Sequence, residues 1–172
     1  MKVALFVLLF AASAFAQVPS SSLPVACGLE KVGFNVKLDD TQHALAQPEP
    51  GKALVYILRD DGVLPNPDNL PYPVIKIGID GAWVGANEGN SWFAVTVEPG
   101  EHGVCASPQS IFELGHIVEL AYFTAETGKT YYFRARFTLT KRQVYLNLDP
   151  LDSDQGKYLI ASFPLSVSHA KK

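Results

Sequence analysis

The spacing of chain-reversing residues limits this sequence more than any other feature. Glycine recurs at 78, 81, 85, 89, 100 and 103, and prolines stand just upstream at 65, 67, 71 and 73. No helix runs through prolines at that spacing, because each lacks a backbone donor and its ring clashes with the preceding turn. The segments between these signals are short, apolar and rich in β-branched and aromatic residues. Val74 to Ile79 alternates Ile75, Ile77 and Ile79 against Val74, Lys76 and Gly78, the period of a half-buried strand. Asp80-Gly81 predicts a type I′ hairpin returning along Ala82 to Ala86, since both central positions of that turn need positive φ. Asn87-Glu88-Gly89-Asn90 turns again, and Ser91 to Val97 sets Phe93, Val95 and Val97 on one face. Glu98-Pro99-Gly100-Glu101 has the proline-glycine order of a type II turn. The glycines therefore read as places where strands reverse. A phosphate-cradling loop would need a helix after the strand, and here another strand-like segment follows each glycine. Gly128-Lys129-Thr130 fails the same test, with Phe123 where the upstream glycine is required.

The same reading extends along the chain. Phe34 to Leu38 is a first strand. Lys52 to Arg59 is apolar on both faces, as suits the middle of a sheet. Asp60 to Pro73 is a long exposed loop. His116 to Thr124 and Thr130 to Leu139 form a further pair; the second sets Tyr131, Phe133, Ala135, Phe137 and Leu139 against Tyr132, Arg134, Arg136 and Thr138. Val144 to Leu148 is a last strand. Asp152 or Ser153 then caps a short helix, Asp154 favours its dipole, and Tyr158, Leu159 and Ile160 cover the sandwich. Gly156 weakens that helix by about 1 kcal/mol relative to alanine. The expected fold is an all-β sandwich over residues 34–162, of about seven to eight mainly antiparallel strands with one short C-terminal helix. Residues 163–172 are expected to fray as a tail.

Residues 1–16 have the form of a secretory signal peptide: Lys2, an apolar run from Val3 to Phe10, and Ala14-Phe15-Ala16 before Gln17. The run is shorter than the ~20 apolar residues of a span, and no later segment approaches that length, so no membrane span is expected. Residues 17–33 form an N-terminal leader, in which the polar "QVPSSSLP" stretch is expected to stay loose. Cys27 stands too far from the apolar run for lipid attachment. The signal implies an exported protein, periplasmic or extracellular. Removing the first 16 of 172 residues leaves a chain of one-domain size. A net charge of −3 without a basic cluster excludes nucleic acid as a partner. In an exported chain the two cysteines, Cys27 and Cys105, favour an internal disulfide, which would stabilise by roughly 4 kcal/mol in the chain-entropy model. Two buried thiols or an intermolecular bridge are the alternatives.

The motif order "PGKALVYILR", "IKIGIDGAWVGANEGNSWFAVTVEPGEHGVCA" and "AETGKTYYFRAR" resembles an uncharacterised bacterial family of exported domains of unknown function, similar in its middle to PEGA-type β-modules. The likeness runs from about Pro50 to Ala161. It rests on Gly51-Lys52, Asp80-Gly81, Gly85, Pro99-Gly100-Glu101-His102 and Gly128-Lys129-Thr130-Tyr131-Tyr132. It implies a β-fold and brings no catalytic residues. Many members look like lipoproteins, a signal this chain lacks.

Chemistry is sparse. The four histidines, His43, His102, His116 and His169, show no metal-ligand spacing. Ser91 lies in "GNSWF", which departs from a nucleophile elbow at Phe93. Asp149, Asp152 and Asp154 violate calcium-loop spacing, and Asp39-Asp40 and Asp60-Asp61 read as solvated pairs. No catalytic residue, metal ligand or cofactor is expected. Trp83 and Trp92 either plug the core or anchor a partner. The expected function is a non-catalytic exported module that binds a protein or envelope component, through one face or through the Asp60–Pro73 loop. The alternative is an envelope hydrolase or metal-binding protein whose site, with acids or His102, assembles only in the fold. The oligomeric state is not written in the sequence.

Overall fold

A computed structural model describes residues 26–28, 32–42, 45–62, 73–109, 117–139 and 143–171. The expected signal peptide, the first part of the leader, His43, His116 and the 63–72 part of the proline-rich loop lie outside these.

The fold turns on β2 (Ala53–Arg59), every residue of which is buried. It lies between β5 (Ser91–Val97), antiparallel, and β8 (Thr130–Leu139), parallel. Ala53, Val55 and Ile57 face a core shared with the second sheet. Leu54, Tyr56 and Leu58 face the opposite side, where α1 (Ser153–Ser162) contributes the buried Ile160. The molecule thus has three layers: a small sheet, a large sheet and a helix.

The large sheet has the order β1-β10-β5-β2-β8-β9, where β1 is Phe34–Asp39, β9 Val144–Leu151 and β10 Leu165–Ala170. The small sheet has the order β4-β3-β6-β7, where β3 is Val74–Ile79, β4 Ala82–Asn87, β6 Gly100–Gln109 and β7 Glu119–Ala125. Ile75, Ile77 and Ile79 face Phe93, Phe133 and Phe137 across the shared core. This is the expected all-β sandwich, mainly antiparallel, with one short helix. Asp80 and Gly81 both take positive φ, 49° and 83°, as the predicted hairpin turn requires.

Several expectations need correction. The strands number ten among the described residues, not seven to eight. One addition is β6, whose positions from His102 to Pro108 are all buried. It escapes an apolar-periodicity reading because small residues, Gly103, Cys105, Ala106 and Ser107, fill much of it. The other is β10, which replaces the expected fraying tail. It pairs with β1 along its length, and its hydroxyls bind the edge of the small sheet: Ser168 Oγ accepts from Ala86 N at 3.1 Å and Ser166 Oγ donates to Ala86 O at 2.7 Å.

A further correction concerns glycine. Gly78 and Gly85 lie inside strands rather than at reversals. A Cβ on Gly85 would stand 2.9 Å from the Phe93 ring, so the two sheets meet there only because it is absent. In α1, Asp152 caps as expected, accepting from Asp154 N and Gln155 N at 2.9 Å each. Tyr158, however, is 71% exposed. Gly156 is more than a weak helix former: a Cβ there would sit 2.3 Å from Tyr132 Cδ1. It lets the helix backbone rest on the Tyr56–Tyr132 stack, whose ring centroids are 5.4 Å apart.

Helix propensity alone makes Gly156→Ala stabilising by about 1 kcal/mol. Contact with Tyr132 reverses the sign: a net loss of about 1–3 kcal/mol is expected from overpacking, read from the midpoint of urea unfolding.

Candidate functional site

Cys27 and Cys105 form a disulfide, with Cα atoms 5.2 Å apart. It pins the chain around Ala26–Gly28 to the outer face of the small sheet. Gly78 leaves room for that approach, since a Cβ there would lie 2.9 Å from Ala26 O and 3.3 Å from Cys27 Cα. Ala26 is buried, and its carbonyl accepts from Gly81 N at 3.3 Å. Lys76 Nζ donates to Val32 O at 3.1 Å, and burial lowers the Lys76 pKa below its ordinary range. Residues 26–28 of the leader therefore form a strap on the small sheet.

The two tryptophans lie on different sheets. Trp83 is half-buried under the strap: Gly28 lies against its ring and Lys76 Nζ stands 4.2 Å from its centroid. Trp92 is buried on the helix side of the large sheet. Its Nε1 donates to Phe163 O at 2.9 Å and its backbone N–H to Pro164 O at 3.1 Å, which ties the helix end to β5. Its indole is therefore spent inside the fold rather than offered to a partner.

The polar groups with catalytic potential are similarly engaged. His102 Nδ1 meets Asp80 Oδ2 at 2.5 Å and its Nε2 meets Glu98 O at 2.6 Å, while Asp80 Oδ1 accepts from Gly103 N at 2.9 Å. Both ring nitrogens are thus in contact with oxygens of the fold. Ser91 is buried, accepting from Asn87 Nδ2 at 3.1 Å and donating to Gly89 O. Asp39 binds Thr41 and Gln42. Asp60 and Asp149 face Arg134 and Arg136 at 3.7 and 3.8 Å. Among the described residues, no group of three or more His, Cys, Asp or Glu is placed to hold a metal.

Sequence reasoning missed Arg59, which is fully buried. Its Nε donates to Asp61 Oδ2 at 2.7 Å, and Nη1 donates to Pro73 O and Asn87 O at 2.9 and 3.2 Å. Nη2 lies 2.6 Å from the same Asp61 oxygen, an ion-pair contact without hydrogen-bond alignment. Asp61 Oδ1 in turn accepts from Phe137 N at 3.2 Å. The signal was present as an arginine closing an apolar strand with two aspartates behind it.

The β7 side of the small sheet carries accessible apolar side chains. The register runs Trp83, Gly78, Cys105 and Leu120 across its outer face, and the strap lies over the first three. Beyond it, Val118, Leu120 and Tyr122 are 43%, 49% and 44% exposed. Leu120 and Tyr122 share one face of β7, which ends the sheet, and Val118 stands directly before it. Tyr122 also lines an open groove of about 220 Å³, with Phe123, Tyr131, Tyr132 and Pro150 among its walls. The sequence placed a strand here but gave no sign that its outward apolar row would stay uncovered.

No protein-family model, curated protein or solved structure matches the chain.

Two outcomes check these arrangements. Asp61→Asn keeps the acceptor for Phe137 N but leaves the buried guanidinium without its counter-charge; a loss of about 3–5 kcal/mol is expected in chemical denaturation. Adding Arg59→Met removes the stranded charge, so the double variant should lose less than the single one. Denatured, unreduced protein should show no free thiol on titration, and two titratable thiols would refute the strap's covalent anchor.

Proposed function

We propose that this is a non-catalytic, exported binding module that contacts a protein or envelope component through the outer face of β7. The observation that carries the reading is the exposure of Leu120 and Tyr122 on a terminal strand, with the exposed Val118 directly before it. Adjacent exposed apolar side chains on a sheet edge mark a contact surface far more than scattered ones do. Support for export comes from the N-terminal signal pattern and from a disulfide suited to an oxidising compartment. The engagement of His102, Ser91 and Asp61 in structural bonds fits a module that binds without turnover. The resemblance to exported PEGA-type modules accords with the same reading.

A photo-crosslinking amino acid placed at Tyr122 in the native compartment should give discrete covalent adducts. The same group at Tyr158, more exposed but isolated on the helix, should give none. Equal yields at both positions, or no adduct at Tyr122, would overturn the assignment of this face.

A further inference from the structure

We propose that the occupant of β7 is a second copy of this chain, joined edge to edge by antiparallel pairing of the two β7 strands about a two-fold axis at Ala121. This deepens the proposed function and rests on its assignment of the β7 face.

The four terminal strands are treated differently. β9 carries Pro150, which has no N–H to offer a further strand. The backbone of β4 at Ala86 is bound by the Ser166 and Ser168 hydroxyls. β1 carries the charges of Lys37 and Asp39. β7, ELAYFTA, has no proline, no lysine and no bulge, and it pairs in continuous register with β6 from Gly100 to Ala106. Sheet edges are ordinarily guarded by such devices, because unpaired backbone groups invite another strand. β7 has one such device, the charge of Glu119 at its first position, and it also carries the exposed Leu120 and Tyr122.

Self-pairing is favoured by the polarity pattern of the strand. About an axis at Ala121, Leu120 lies beside Tyr122 of the second copy, and Tyr122 beside its Leu120. Val118 falls opposite Thr124, and Glu119 falls opposite Phe123. Every outward pair is then apolar or carries a methyl group, and the acidic Glu119 side chains are not set against each other. Pairs of this kind are the unit of sheet stabilisation, whereas directly opposed like charges destabilise. An isologous contact of this sort uses one patch twice and needs no second complementary surface on the molecule. The two small sheets would merge into one continuous sheet of the order β4-β3-β6-β7 followed by its two-fold mate. Neither strap is displaced, since each covers the part of the face around Trp83 and Gly78.

Sedimentation equilibrium of the mature, oxidised protein from micromolar to submillimolar concentration tests the proposal. The wild-type chain should pass from monomer to dimer. Leu120→Lys and Tyr122→Lys should each raise the dimer dissociation constant roughly tenfold or more, while Tyr158→Lys leaves it unchanged. Hydrogen exchange on the unaltered protein gives an independent reading, because β7 amides should slow with concentration. A monomer throughout, or a dimer indifferent to both lysines and without added protection of β7, overturns the proposal. If the protein stays monomeric while Tyr122 crosslinks to a different polypeptide, the second copy is refuted and the binding-module reading stands. If it is monomeric and Tyr122 yields no adduct, both fall.

Discussion

The structure depends on a strand that cannot be left bare on either face. β2 runs Ala-Leu-Val-Tyr-Ile-Leu-Arg with no exposed position, so one side must be closed by a second sheet and the other by a helix. Burying a large apolar side chain is worth about 1.5–3 kcal/mol, so a fold that left either row in water would forfeit several such terms. The connections follow from that requirement. The chain after β9 forms α1, which drops Ile160 onto Tyr56 and Tyr132. It then returns as β10 beside β5, with Trp92 bonded to the carbonyls of Phe163 and Pro164 at the junction.

Polar groups close the assembly where the apolar layers end. Arg59 terminates β2 with a buried charge, and Asp61, Pro73 and Asn87 supply its oxygens. His102 joins the Asp80 turn to the carbonyl of Glu98, linking the hairpin of the small sheet to the turn that enters β6. A buried ion pair adds little net stability compared with apolar packing, but removing one member is costly. These groups therefore fix which loops meet at each end. Away from these groups, the outward row of β7 presents exposed apolar side chains.

That surface is defined by what covers its neighbours. Residues 26–28 can lie flat on the small sheet because Gly78 presents no side chain, and the disulfide holds them there. The strap shelters Trp83 and Cys105 but does not extend over Leu120 and Tyr122. A tryptophan that resembled a docking residue is thereby half-buried, while an unremarkable leucine and tyrosine beyond the strap are exposed.

The sequence by itself determined the fold class, the hairpin at Asp80-Gly81, the central place of Ala53–Arg59, the alternation of Thr130–Leu139 and the Asp152 cap. Each of these is written in local residue types: turns need positive φ, strands need a period of two, and a helix N-terminus needs an acceptor. Only the tertiary structure decided the rest. β6 hides among small residues that are buried because neighbouring chains approach closely. β10 hides behind serines whose hydroxyls are satisfied across the gap between sheets. Gly78, Gly85 and Gly156 look like flexibility and serve as contact points for a strap, a phenylalanine and a tyrosine. Whether Trp83 or Leu120 meets solvent likewise depends on where a distant segment lies. Local sequence carries backbone preference and side-chain period, but not the position of the surface that packs against them.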